Sequence, residues 1–211
     1  MAKIILSAPH ALCRSESDKI LHFCDVVAGD VARDLQKRLT DTGHKVMLHI
    51  GDINREEMDL NRSVSRNTEF RKKLEADFSK ADCLLDVHSS PRNRITWNED
   101  MVILKWKTKE ADNRKYTNDL LKKLVDQDLD VSITYAQAED DIVDQATHAG
   151  LPAMLVEFSE LTFADDAKWF MEQFTKGFNQ FIDNLPNLGK PEPPKNELDE
   201  SLSRLFSKLL F

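Results

Sequence analysis

Apolar residues along the chain change period several times, and each change marks an element. Residues 3–7, "KIILS", are a short continuous apolar run, the pattern of a buried strand. Between residues 23 and 40 the apolar positions fall at Val26, Val27, Val31, Leu35 and Leu39, a helical period. A turn at Gly43 then leads into a strand over residues 45–50. Residues 51–62 are polar and irregular. Residues 68–80 carry Phe70, Leu74 and Phe78 on one helical face, and strands follow at 83–88 and 101–106. The pattern predicts an amphipathic helix at 112–126, a short strand at 131–135 and a short helix at 142–149 closed by Gly150. "PAMLVEFSE" reads as the last core strand. A helix over 164–184 follows, with Trp169, Phe170, Phe174, Phe178 and Phe181. Strands alternating with helices imply an α/β fold: a mixed, largely parallel twisted sheet with helices on both faces. In such sheets, sites form outside the C-terminal ends of strands.

The C-terminal pattern differs. Residues 186–197, "PNLGKPEPPKNE", hold four prolines in twelve positions and read as an extended linker. The division expected is therefore a domain over 1–185, a linker over 186–197 and an amphipathic tail helix over 198–211. The tail's Leu198, Leu202, Leu205, Phe206, Leu209 and Leu210 form an apolar stripe. About 14 residues are marginal as an isolated helix, so the stripe needs a cover. Its own domain, a second subunit or another protein would supply one.

Composition narrows the classes. At 41% apolar and 31% charged, the 211 residues are ordinary for a globular protein. A formal net charge of −8 argues against nucleic acid or an anionic membrane surface as an electrostatic partner. No apolar run approaches the ~18–20 residues of a membrane-spanning helix. Cys13, Cys24 and Cys83 form no spaced framework, and the N-terminus reads as a strand, so a cytoplasmic setting is expected.

Chemistry enters at the strand ends. "SAPHA" places His10 after the first strand, "LLDVHSSP" places His88 at the end of a middle one, and "MLVEFSE" places Glu157 inside an apolar run. Between the first two lies "DINREEMDLNR". A buried carboxylate such as Glu157 is costly unless paired, ligating or catalytic. Two imidazoles with a carboxylate and an open position are the usual ligand set of a hydrolytic zinc site. Such a site also needs a general base and a cation for an anionic substrate. His10, His88, Glu157 and Arg62 cover these roles.

"APHA", "DLNR", "DVHSS" and a late-strand acid, in this order, resemble the N-formylglutamate amidohydrolase family, which is related in fold to zinc carboxypeptidases and aspartoacylase. The resemblance spans roughly residues 3–180. It implies a zinc-dependent hydrolase of an amide bond next to a carboxylate, in a small acidic N-acyl amino acid such as N-formylglutamate or in a peptide. An alternative is a carboxypeptidase or an amidase of a glutamyl or cell-wall polymer. Another is a metal-free binding protein that keeps only the fold. By the same resemblance His10 and His88 are zinc ligands, Asn61 and Arg62 hold the substrate carboxylate, and Glu157 is the catalytic glutamate. The third ligand stays open. Where zinc carboxypeptidases have His-x-x-Glu, this chain has Cys13, and Glu16 and Asp25 compete with it. Asp25 also reads as an acid suiting the start of the first helix. Asp52, Asn54 and Arg55 nearly duplicate Asp59, Asn61 and Arg62. Only one copy is expected to take the family's place, and the second fits it better. Arg55, Arg66 and Arg71 either widen a positive lining, with Arg55 binding substrate, or are surface charges. His148 is a rim candidate, and His22, His44 and His49 read as non-catalytic.

Overall fold

The computed structural model describes residues 1–12, 25, 27–90, 102–106, 113–135 and 142–191. Six strands form one sheet: β1 (Lys3–Ala8), β2 (Lys45–Ile50), β3 (Cys83–Ser90), β4 (Val102–Trp106), β5 (Val131–Tyr135) and β6 (Ala153–Ser159). Their spatial order is β2-β1-β3-β6-β4-β5. The first four run parallel. β4 is antiparallel to β6 and β5 is parallel to β4, so the last two strands are reversed. The mixed, largely parallel sheet matches the class expected from the pattern.

Among the described residues five α-helices cover it: α1 (Ala28–Asp41), α2 (Glu69–Asp77), α3 (Arg114–Val125), α4 (Ile142–His148) and α5 (Glu160–Leu188). Strand alternation divides them between two cores. Ile4, Leu6, Leu85, Val87, Met154, Val156 and Phe158 face α1, α3 and α5. Ile5, Leu84, Ala153 and Leu155 face α2 and α4. The first core is the larger. From α5 it takes Phe170, Phe174, Phe178 and Phe181, successive rings lying 5.8–6.4 Å apart by centroid. Each such side chain stabilises by about 1.5–3 kcal/mol when fully buried.

Two helices differ from the pattern's bounds. α1 begins at Ala28, so Asp25 precedes it and does not sit in its first turn. α1 ends at Asp41 with Thr42 as its C-cap, and Gly43, at φ +91°, turns the chain into β2 in the left-handed region that favours glycine. α5 starts earlier and ends later than expected, running through Pro186, three residues into the stretch read as linker. Its φ/ψ break at Asp166, whose carboxylate accepts from the Trp169 amide as a helix cap. The tail over 198–211 lies outside the described residues. Among the described residues no helix is long and apolar enough to cross a membrane.

Candidate metal centre

Three segments converge beyond the C-terminal ends of the parallel strands. β1 ends at Ala8, and the turn after it carries His10, which is 2% exposed. In β3, Asp86 and His88 continue the face begun by Leu84, so one face of one strand passes from core to polar site. In β6, Glu157 is the register partner of His88 and points to the same side of the sheet. Glu157 is half-buried.

The loop over residues 51–62 delivers the rest. It leaves β2 through Gly51, where a Cβ would lie 2.1 Å from the Pro9 carbonyl oxygen, so only glycine lets the chain cross so close to β1. Leu60 anchors the loop in the smaller core. Its carbonyl accepts from Ser65 Oγ at 2.8 Å and from Arg71 Nη1 at 3.0 Å. Arg71, read from the sequence as a site-lining or surface charge, is instead fully buried. It also donates to Gln145 Oε1 and pairs with Glu75 across one helical turn. The polar face of α2 at this position is covered by the loop and α4, and for that reason the helical pattern misplaced it.

His10 Nδ1 and His88 Nδ1 both face one oxygen, Oδ2 of Asp25, at 3.1 and 2.6 Å. The other nitrogen of each ring has its own carboxylate: His10 Nε2 meets Asp59 Oδ1 at 2.6 Å, and His88 Nε2 meets Asp86 Oδ2 at 3.0 Å. The rings sit edge to face, 4.9 Å apart. Arg55 Nη1 donates to the second Asp25 oxygen at 3.1 Å. Asp86 also accepts from Ser7 Oγ at 2.6 Å and from Asn61 Nδ2 at 3.3 Å. Asn61 Oδ1 accepts from the Ile142 amide at 2.9 Å, which fixes the orientation of the side-chain amide. Asn61, expected at a substrate carboxylate, is thus engaged at both ends within the protein.

The electrostatics follow from this crowding. Burial pushes the Asp25 carboxyl up. The charge on His88 and hydrogen bonds from His10 and His88 outweigh it and hold the group well below the usual range. Burial likewise works against Asp59, and the hydrogen bond and charge of His10, with the Asn61 amide, win and lower it. Burial alone would lower His88, but Asp86 and Asp25 drive it up to about 10. Between two carboxylates, the metal-free ring is favoured in its protonated form.

This donor set fits a divalent cation. Among the described residues, His10, Asp25 and His88 are the one group of its kind, with ligand atoms within 4.8 Å of one another. Asp25, Asp59 and Asp86 against Arg55 leave a formal charge of −2 when the imidazoles are neutral, which one divalent ion would balance. With a metal in place of the Nδ1 contacts to Asp25, each ring would turn its other nitrogen to a carboxylate that sets tautomer and basicity. Zinc takes such N/O sets.

Of the other residues singled out in the sequence, Arg62 lies at the rim, its side chain 42% exposed and its Nε 3.7 Å from Asp59. Cys13, Glu16 and His22 lie outside the described residues. Both copies of the near-repeat reach this cluster, Arg55 from the first and Asp59 and Asn61 from the second. His49 pairs with Asp77, His44 with the Ala2 amide and Asn179, and His148 with the Asp144 carbonyl, all away from the centre. The pattern missed Ser7 and the backing roles of Asp86 and Asp59. The signal for Asp86 was its spacing, two residues before His88 on a strand.

No family model matches the sequence, and no curated protein matches it. Solved structures do. The CwlD amidase of Clostridioides difficile, determined in complex with the GerS lipoprotein, aligns with a TM-score of 0.56 at 14% identity, over 87% of this chain and 99% of that one. A bacteriophage poly-gamma-glutamate hydrolase aligns at 0.51 and 11%, over 89% and 86%. A zinc-free apo form of YNDL aligns at 0.50 and 12%, over 87% and 85%. At these identities the likeness is one of fold: an α/β sheet of the kind on which amidases are built.

Proposed function

We propose that this protein is a zinc-dependent amidohydrolase acting on an amide bond next to a carboxylate, in a glutamyl or peptide polymer. One observation carries the reading. Two buried imidazoles present the same ring nitrogen to one Asp25 oxygen, and each is backed by its own carboxylate. A fold shared with an amidase and a poly-gamma-glutamate hydrolase supports amide chemistry. A poly-gamma-glutamate chain carries a free carboxylate beside every amide, the feature that rim Arg62 would read. The motif order keeps a small N-acyl amino acid such as N-formylglutamate as the second substrate class.

His10, Asp25 and His88 would hold the ion. Zinc, when bound, supplies Lewis acidity that polarises the amide carbonyl and brings the pKa of a water to about 7. Glu157, level with His88, takes the proton from the attacking water and returns it to the leaving amine. Arg62 binds the neighbouring carboxylate through its planar fork. Asp59 and Asp86 keep both rings in one orientation while charge shifts nearby. Metal analysis of the purified protein should give about one zinc per chain. Hydrolysis of poly-gamma-glutamate, cell-wall peptides and N-formylglutamate should be abolished by a chelator and restored by zinc. Glu157→Gln should keep the metal and lose at least about 100-fold in turnover. A protein with no zinc and no metal-dependent hydrolysis of any of the three would sink the reading.

A further inference from the structure

We propose that Arg55 is a positioning residue for Asp25, holding one carboxylate oxygen so that the other alone meets the metal. The inference rests on the metal centre argued above and assigns Arg55 away from the substrate.

The three would-be ligands differ in how the fold delivers them. His10 follows a strand end and His88 sits on a strand. Asp25 lies in neither a strand nor a helix. It precedes α1, and its carbonyl accepts from the Ala28 amide at 3.2 Å at the helix entry. Rotation about its terminal torsion, broad and roughly two-fold, exchanges its two oxygens. Something else must set which oxygen points inward.

Arg55 is placed to do so. Its Nη1 donates to Asp25 Oδ1 at 3.1 Å, on the far side from the oxygen shared by the two imidazoles. Its own backbone amide donates to the Leu12 carbonyl at 3.2 Å, tying the 51–62 loop to the chain just after His10. The side chain is three-quarters buried, and Asp25 is 7% exposed. A charge-assisted bond in such surroundings is shielded from competing water. The same arrangement recurs for each ligand: Asp59 backs His10, Asp86 backs His88, and Arg55 backs Asp25. In each case the backing group has the charge its ligand requires, carboxylate behind imidazole and guanidinium behind carboxylate. With Oδ1 engaged, Asp25 offers a single oxygen and cannot close on the ion with both, which keeps a coordination position open for chemistry. The near-repeat thus divides its labour. The first arginine orders the centre, and the second, Arg62, stays at the rim for substrate.

Zinc dissociation constants, measured by chelator competition on the full chain, test this. Arg55→Ala should weaken zinc binding by about 10–100-fold, the usual scale for a group behind a ligand. Arg55→Lys, which keeps a cationic donor, should recover most of that loss. Arg62→Ala should leave zinc binding within threefold of wild type while raising KM. Wild-type zinc affinity in Arg55→Ala, with KM raised instead, would make Arg55 a substrate contact and overturn the proposal while leaving the metal centre standing. A wild-type protein that binds no zinc would overturn the centre itself, and this inference with it. Should Arg55→Ala fail to fold, Arg55→Gln carries the comparison: an affinity between wild type and the tenfold loss supports the role, and an unchanged one overturns it.

Discussion

The two faces of β3 have the same backbone and opposite tasks. On one face Cys83, Leu85 and Val87 share a core with the phenylalanines of α5, and only at Ser89, whose Oγ donates to Glu160 Oε1, does that face turn polar. On the other, Leu84 begins in the smaller core, and Asp86 and His88 then turn the same face into a charged centre. The sheet tolerates this because the charges are paired at every step. Asp86 accepts from Ser7, Asn61 and His88, and His88 lies between Asp86 and Asp25. An unpaired charge at this depth would cost several kcal/mol. The comparison teaches that one face holds the strand in place, and the other can therefore carry groups that would destabilise it alone.

The largest effect should come from breaking the polar face. His88→Ala removes a proposed metal ligand and the ring that lies between Asp25 and Asp86. Removing one partner of a buried charge pair typically costs about 3–5 kcal/mol. The variant should lose stoichiometric zinc and melt at lower temperature even without metal. Full zinc occupancy in the double variant His10→Ala, His88→Ala would defeat the ligand assignment. Phe174→Ala tests the other face. Its ring is fully buried, with its centroid 4.9 Å from that of Phe158 and 6.1 Å from that of Phe178. Truncation should cost about 3–5 kcal/mol. At about 2–4 °C per kcal/mol, that lowers Tm by roughly 6–20 °C. Zinc affinity should hold at temperatures where the variant is folded. A parallel loss of zinc would show that the faces are not independent.

Legibility in the sequence divides along the same line. The apolar face follows from periodicity within each segment. The strands over 45–50 and 131–135 and the α5 phenylalanine stripe were therefore readable residue by residue. On the polar face, His10, His88 and Glu157 stood out because each is polar where an apolar run ends or continues. The partners were not readable, because they depend on register between strands and on the path of a loop. Ser7 reaches Asp86 only because β1 and β3 pair with those two residues level. Asp59 reaches His10 across 49 positions, by way of a loop whose crossing requires Gly51. Arg71 looked solvent-facing because helical phase says nothing about what lies over a helix.

pH sharpens the comparison, since only the polar face titrates. His88 is raised above its unfolded value, from 6.5 to about 10. Its contribution to the metal-free fold is therefore complete below pH 6.5 and lost as pH rises toward 10. Asp25 and Asp59 are depressed, so theirs is present above about 3.8 and lost as pH falls below it. In the proposed centre zinc would displace a proton from His88 Nδ1. Its affinity should then rise with pH, about tenfold per unit while that proton is being released. Melting curves with chelator and with zinc, between pH 6.5 and 9, should diverge: the metal-free Tm falls and the zinc-induced gain grows. A gain independent of pH over that range would mean that His88 is not deprotonated on metal binding.

The smallest effect is expected at the rim, where Arg62 belongs to neither face. Its side chain is 42% exposed, it lies 3.7 Å from Asp59, and its Nη1 reaches the Asn61 carbonyl at 3.4 Å. Solvent screens such a pair, so Arg62 should matter little for stability. Its proposed role is geometric: two parallel donors for a substrate carboxylate. Arg62→Lys keeps the charge and loses the fork. One charge-assisted hydrogen bond lost is worth about 1.5–3 kcal/mol, so kcat/KM should fall by roughly tenfold or more with Tm and zinc content unchanged. If the carboxylate is held equally before and during reaction, the loss appears in KM alone; if it aims the amide at Glu157, kcat falls too. Substrate chemistry completes the test. Amidating the carboxylate should penalise the wild type and add nothing further in Arg62→Lys. Equal penalties in both would show that Arg62 does not read the carboxylate, and that specificity lies elsewhere along the rim.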